Sequence, residues 1–152
     1  MEKFFVETER FVITEADESM AEAIHKNSLD EDNRRFVPDE VFETPAEAQK
    51  IVQSFLEWYK QERAPLVYPI ILKAKLYTGN GYATEAVKAF LPIIMPKLKI
   101  DKIIGECLQE NVASAAVLEK CGFVLEYKGL GNYQGESRNI CKYLYHAQAE
   151  TI

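Results

Sequence analysis

The stretch that most constrains this chain is Thr78-Gly79-Asn80-Gly81-Tyr82-Ala83-Thr84-Glu85-Ala86, two glycines one residue apart that run straight into an amphipathic helix. With no Cβ atoms in the way, backbone N–H groups at such a turn can crowd toward a ligand. A helix that begins directly behind them adds unpaired N–H donors and the positive end of its dipole. Together these make an anion site of the kind that holds phosphate or pyrophosphate; the plainer reading of the same glycines is a tight turn. Ala83, Ala86, Val87, Phe90, Leu91 and Ile94 recur at i, i+3, i+4, i+7, i+8 and i+11 and predict the buried stripe of the helix. Pro92 is expected to kink it and Pro96 to end it. A P-loop would need Lys and then Ser or Thr after the second glycine, and Tyr82 follows Gly81. A dinucleotide fingerprint would need a small residue where Thr84 stands and an acid after the next strand, whereas Asp101 precedes the apolar Ile103-Ile104.

The second informative stretch is Asn111-Val112-Ala113-Ser114-Ala115-Ala116-Val117-Leu118-Glu119-Lys120-Cys121-Gly122-Phe123. Asn111 reads as an N-cap, Gly122 as a left-handed stop, and Ala113, Ala116 and Val117 as the buried side of a short helix between them. An Asn-x-Ala-Ser-x-x-Val-Leu-Glu-Lys-x-Gly-Phe run, placed after Gly-x-Gly-Tyr-Ala-Thr-Glu-Ala, resembles the GNAT superfamily of acetyl-CoA-dependent N-acetyltransferases. Within it the chain is most similar to the branch that includes the ribosomal-protein N-terminal acetyltransferases; Glu7-Thr8-Glu9-Arg10-Phe11-Val12-Ile13 looks like that branch's first strand. The resemblance spans roughly residues 7 to 145, and the two motifs in this order are far more specific than either alone.

The resemblance implies an α/β fold, with a mixed, mostly antiparallel central sheet flanked by helices, in a single domain over residues 1–152. It implies that Gly79, Asn80, Gly81, Tyr82 and Ala83 bind the pyrophosphate of acetyl-CoA through backbone N–H groups, with Thr84 adding a hydroxyl. Asn111 would hydrogen-bond the pantetheine arm, and Ser114, one helical turn on, would stand at the cofactor's sulfur end as a catalytic residue. Three features depart from the family pattern. Thr78 stands where Arg or Gln is usual, and Leu118 where many relatives carry a Tyr general acid. The family also has two more strands after the one read at residues 65–73, the second of which borders the thioester and often supplies a carboxylate base. Here Leu72-Lys73-Ala74-Lys75-Leu76-Tyr77 runs directly into the glycine turn, leaving no room for two strands of ordinary length. Either residues 66–73 substitute for the missing strand, or the sheet is incomplete, or the sequence lacks an internal piece.

Composition fits a small enzyme-like domain. The length of 152 residues, 47% hydrophobic and 28% charged, is enough for one core. A net charge of −6 argues against nucleic acid or an anionic membrane as partner and suits a cationic acceptor such as an amine. No stretch is long and apolar enough to span a bilayer, and Met1-Glu2-Lys3-Phe4 opens no signal peptide, so a cytoplasmic protein is expected. Cys107, Cys121 and Cys141 show neither metal nor disulfide spacing and read as reduced, buried thiols; no metal is expected.

The remaining chain predicts a strand from Phe4 to Thr14, a helix capped by Asp17 with Met20, Ala23, Ile24 and Asn27 on one side, and a loop from Asn33 to Phe42. A capping box at Thr44-Pro45-Ala46-Glu47 opens a helix through Ile51, Val52, Phe55 and Tyr59. Strands follow at 65–73, Lys102–Leu108, Phe123–Tyr127 and Arg138–Tyr145, with Gly129, Gly131 and Gly135 marking a loop or hairpin. Candidate general bases are Glu106, in a strand, and Glu110 beside it; solvated surface charge is the plainer reading of both. Asn33, Phe36, Trp58 and Tyr133 are candidates to line an acceptor site, core packing being the alternative for the aromatics. The acceptor would be a small amine, a protein N-terminus or an antibiotic. Two functions are compatible with these residues: an N-acetyltransferase acting by direct attack of a primary amine on acetyl-CoA, or a non-catalytic CoA-binding relative. A short sheet would also expose an edge on which a strand-swapped homodimer could form.

Overall fold

The computed structural model describes residues 3–61, 67–73 and 81–147, so Gly79 and Asn80 of the glycine turn lie outside the described residues. The chain divides into two compact units, Met1–Lys75 and Leu76–Ile152.

In the first unit the predicted single strand is two: β1 (Phe5–Glu7) and β2 (Phe11–Thr14) pair antiparallel, Val6 opposite Ile13. Thr8 makes the turn. Its hydroxyl oxygen accepts from the N–H groups of Arg10 and Phe11, and its own N–H donates to Phe11 O. A hydroxyl that bonds its own downstream backbone breaks a strand locally, which alternation alone does not reveal. β3 (Ile70–Leu72) adds antiparallel to β2, giving the order β1-β2-β3. Asp17 caps a short 3₁₀ turn, Glu18–Met20, which leads into α1 (Ala21–Ser28). Ala21 and Ser28 face inward there, while Ala23 and Asn27, expected on the buried side, are exposed.

The expected loop from Asn33 to Phe42 is instead mostly helical: α2 (Glu31–Phe36) and a 3₁₀ turn, Pro38–Glu40. Asp30 caps α2 by accepting from Asp32 N–H, with acids in the first turn and Arg34 and Arg35 in the last, a charge order that suits the helix dipole. α3 (Pro45–Gln61) opens on the predicted capping box. Glu47 N–H donates to Thr44 Oγ1 at 3.3 Å, and Thr44 N–H to Glu47 Oε2 at 3.2 Å. Ala48, Val52, Phe55 and Tyr59 form its buried stripe. Tyr59 is a central fastener: its hydroxyl accepts from Ala16 N–H at 3.0 Å and donates to Val67 O.

In the second unit α4 (Tyr82–Leu98) follows Gly81. Ala86, Leu91 and Ile94 are buried as predicted, Met95 joins them, and Ala83 is exposed rather than buried. The helix runs through Pro92 and does not stop at Pro96; it ends at Lys99, in the left-handed region at φ 55°. Lys99 N–H bonds Pro96 O and Ile100 N–H bonds Met95 O, the paired bonds of a Schellman end. β4 (Lys102–Leu108) has the predicted bounds and pairs antiparallel with β6 (Glu136–His146). α5 (Val112–Lys120) follows β4, and β5 (Val124–Tyr133) pairs antiparallel with the other side of β6, giving the order β4-β6-β5.

Gly129 and Gly131 therefore lie inside β5 and not in a loop. At Gly131 a Cβ would meet Ile140 Cδ1 at 2.2 Å, so the glycine makes room for a fully buried side chain on the neighbouring strand. The hairpin itself is Gln134-Gly135, both at positive φ, the two-residue turn that matches strand twist. Residues 73–81 are all that separates β3 from α4, too short for two further strands with their turns.

Candidate functional site

Gly81 is the N-cap of α4 with φ 75° and makes no side-chain cap bond. A Cβ placed there would have no heavy atom within 4 Å, so the glycine is required by its backbone angle and opens onto free space. Gly81 O accepts from Glu85 N–H at 3.0 Å, the first bond of a seventeen-residue helix whose first turn is Tyr82, Ala83 and Thr84. Thr84 is half-buried, and its carbonyl accepts from the Cys121 thiol at 3.6 Å, where α4 meets the end of α5.

At the other end of α5, Asn111 is the predicted cap; its Oδ1 accepts from Ser114 N–H at 3.0 Å. Gly122 stops the helix at φ 88°, with Phe123 N–H on Leu118 O and Gly122 N–H on Glu119 O. The nine residues of α5 thus hold Thr84 and Asn111 at opposite ends of a rod about 13 Å long. Ala113, expected to be buried, is exposed; Ser114, Ala115, Ala116, Val117 and Leu118 are half-buried.

α5 lies over one face of β4. A Cβ on Gly105 would strike Leu118 Cδ2 at 2.5 Å, and the Ser114 side chain stands near the Cys107 thiol. Burial pushes that thiol up from its ordinary value, and Cys141, directly opposite on β6, adds to the rise. Tyr143, opposite Gly105 and almost fully buried, donates its hydroxyl to Glu119 Oε1 at 3.2 Å; burial first, and the carboxylate second, push its pKa up to about 12. Neither the two-cysteine row nor Tyr143 is visible from sequence, since both depend on strand register.

Successive strand residues point to opposite faces, so Glu106 lies on the face away from Ser114. Its Oε2 pairs with Lys142 Nζ at 3.0 Å, across the sheet. Glu110, beyond the strand, is exposed and pairs with Arg138 at 3.4 Å. Ser114 and Glu106 therefore cannot bond each other; a substrate that both touch must lie along the edge of β4. That edge has a readable polarity. Gln109 N–H donates to Asn139 O and Ala147 N–H to Asp101 O, which makes the odd-numbered residues of β4 the hydrogen-bonded partners of β6. The N–H and C=O groups of Ile104 and Glu106 face the other way, and among the described residues β4 has no strand on that side.

In the first unit a cavity of about 460 Å³ is lined by Trp58, Phe55 and Ile51 of α3, by Phe42 and Ile70, and at its polar side by Asn33, Asp39 and Glu40. It contains two of the four predicted acceptor-site residues, Asn33 and Trp58. Phe36 does not line it and carries Arg35 over its ring instead, at 4.8 Å. Tyr133 ends β5 in the second unit. Sequence reading missed Asp39, Glu40 and Phe42 because it took their segment for a loop. Among the described residues no group of three or more His, Cys, Asp or Glu could hold a metal ion, and no helix is long and apolar enough to cross a membrane.

Comparison with known proteins gives these features a family. Residues 13–124 match the profile described as an acetyltransferase (GNAT) domain. The uncharacterized N-acetyltransferase YnaD of Bacillus subtilis (strain 168) is 22% identical, over 77% of this chain and 81% of its own. Among solved structures, the acetyltransferase of Salmonella typhimurium that modifies the N-terminal serine of 50S ribosomal subunit protein L7/L12 superposes with a TM-score of 0.80 at 17% identity, covering 95% of this chain and 100% of that one. The microcin C7 self-immunity acetyltransferase MccE, solved in complex with acetyl-CoA and AMP, gives 0.76 at 17% identity, covering 92% and 94%. With a family match across most of its length and the same fold in its structural neighbours, the chain belongs to the GNAT family of acetyltransferases.

Proposed function

We propose that this protein moves an acetyl group from acetyl-CoA to a primary amine by direct attack, as one acetyltransferase domain over residues 1–152. The observation that carries the reading is the pairing of two ends in the second unit: an open, left-handed Gly81 before α4 and, one helix length away, the Asn111 cap and Ser114. The spacing suits a long linear cofactor with phosphates at one end and its reacting group at the other. In this reading Gly81, Tyr82, Ala83 and Thr84, with Gly79 and Asn80, hold the pyrophosphate, since N–H groups at a helix start favour an anion. Asn111 bonds the pantetheine arm. The outward N–H groups of β4 are suited to bond the arm or an oxyanion. Ser114 stands at the sulfur, and Glu106 takes a proton from the acceptor's ammonium so that the free amine attacks the thioester. The bound cosubstrate supplies an activated thioester; no metal is needed for that chemistry. The match across residues 13–124, which draws on both units, supports a single domain. The acceptor is a small amine or a protein N-terminus, neither nucleic acid nor membrane, and the setting is the cytoplasm.

The test is calorimetric titration of acetyl-CoA into the parent chain and into Gly81→Asn. Asparagine tolerates the left-handed angle, so the turn is kept while its side chain fills the open space. Binding by the parent, weakened roughly tenfold or more in the variant, is the expected result; equal binding by both would remove the pyrophosphate from Gly81. A non-catalytic CoA-binding relative is the second reading, favoured by Leu118, whose side chain packs on Gly105 and offers no proton. Binding without acetyl transfer to any amine would select it. The exposed apolar β3, an end strand among the described residues, is the edge for a strand-swapped homodimer, which concentration-dependent elution in size-exclusion chromatography would reveal.

A further inference from the structure

The carboxylate assigned above as the base already holds an amine. Glu106 Oε2 pairs with Lys142 Nζ at 3.0 Å, and Nζ is a primary ammonium, the group that the proposed reaction consumes. Both residues belong to the second unit, as do Gly81, Asn111 and Ser114, so the whole arrangement lies within one compact unit. Glu106 on β4 and Lys142 on β6 stand opposite each other as a non-hydrogen-bonded pair, the kind in which side chains come closest. Glu106 as a residue is exposed while its side chain is only 29% exposed, so its open part is the backbone, at the edge of β4 where no described strand pairs. The Lys142 side chain is 44% exposed. A pair that solvent reaches this freely holds weakly, and the flexible four-carbon stem of a lysine lets its amine swing away. In the next row of the same face Ile104 and Val124 are exposed, so this part of the sheet is uncovered and the amine has room to move.

We propose that Lys142 is a self-acetylation site, its amine serving as an acceptor for acetyl-CoA held by the same second unit. The proposal rests on the acetyltransferase reading above and adds a modification site to it. Glu106 takes one proton from the Lys142 ammonium. The free amine attacks the thioester carbonyl, the N–C bond forms as the C–S bond breaks, and the nitrogen's second proton leaves with the thiolate as CoA thiol. Lys142 then carries a neutral amide and the ion pair is gone. Glu106 returns its proton to solvent and stands free for an ammonium from outside.

The test is incubation of the whole chain with acetyl-CoA, followed over time by peptide mapping of acetyl-lysine. Lys26 and Lys60 are internal controls for chemical acetylation by the thioester. They pair with Glu22 at 2.6 Å and Glu57 at 2.7 Å, are more exposed than Lys142, and belong to the first unit. Lys142 is expected to be acetylated about tenfold or more faster than either, because an amine beside a bound thioester reacts as a tethered group. Its fractional rate should not change with protein concentration. Glu106→Gln keeps the side chain's shape at the sheet edge and should slow Lys142 to the pace of the controls. A second readout needs no transfer. Succinimidyl acetate labels exposed amines, and saturating desulfo-CoA, which has no thiol to react, should shield Lys142 from it severalfold and leave Lys26 and Lys60 as they were. Acetylation of Lys142 no faster than the controls, a fractional rate that rises with protein concentration, equal speed in Glu106→Gln, or no shielding while desulfo-CoA binds each overturns the proposal. Acetyl-CoA binding and transfer to added ethylamine are measured on the same preparation. Binding with transfer to ethylamine and none to Lys142 sinks this inference alone; no binding, or binding with no transfer to any amine, sinks the acetyltransferase reading and this inference with it.

Discussion

Two helix ends in this chain have the same bonds and different residues. α5 closes on Gly122 and α4 on Lys99, both in the left-handed region with Schellman pairing. Glycine was a readable stop; lysine there was not, because nothing in its type demands positive φ. The difference has an energy. A side chain in that region costs about 1 kcal/mol, so Lys99→Gly is expected to stabilise the fold by roughly that amount and Gly122→Ala to destabilise it similarly, both measured by denaturant unfolding. The Cys107–Cys141 row carries a second residue-scale expectation. Because it is a hydrogen-bonded pair, its Cβ atoms stand about 5 Å apart, beyond the roughly 3.8 Å a disulfide needs. Mild oxidation should leave both thiols titratable in the unfolded protein; an intramolecular 107–141 disulfide in a peptide map would show that register wrong. Tyr143 adds a pH dependence. Its hydroxyl holds its proton more tightly folded than unfolded, so stability is fully present below pH 10 and falls as pH rises toward about 12. Tyr143→Phe should flatten that alkaline loss, read from unfolding midpoints across the range.

At the scale of elements, what sequence showed well was what local chemistry decides. The Thr44–Glu47 capping box, the Asn111 cap and the bounds of β4 all follow from side chains acting within a few residues. What it concealed was decided by partners distant in the chain. Gly129 and Gly131 looked like loop residues, yet β6 pairs along them and Ile140 fills the space that Gly131 leaves. The Thr8 turn split a run that alternation joined, and the short α2 was hidden by its polar composition. α4 shows tertiary packing overriding propensity. Pro92 and Pro96 each remove an intrahelical bond, but Leu91, Ile94 and Met95 are buried around them and hold the helix together. Pro92 is exposed, so Pro92→Ala should restore the bond to Lys88 O without disturbing the core and stabilise by about 1–3 kcal/mol. A loss of stability instead would mean that α4 is shaped around its proline.

For the molecule as a whole, the shortened connection between β3 and α4 was legible by counting residues, since residues 73–81 cannot hold two strands. The position of the candidate cofactor residues was legible only in part: sequence gave the two helix starts, while the opposite facing of Ser114 and Glu106 needed the register of β4. The effect of the short connection on function can be measured without knowing the acceptor. A ligand that binds only the folded chain stabilises it by RT ln(1 + [L]/Kd), about 2.7 kcal/mol at one hundred times Kd. If the helix starts at Gly81 and Asn111 still hold acetyl-CoA, a thermal unfolding series should show the midpoint rising with the logarithm of cosubstrate concentration. The same series on Gly81→Asn should begin to rise only at roughly tenfold or more higher concentration, and on Glu106→Gln should match the parent, because Glu106 is assigned to the proton and not to the cofactor. A rise that Gly81→Asn leaves intact would place the cofactor elsewhere; a rise lost in Glu106→Gln would make the Glu106–Lys142 pair part of the binding surface.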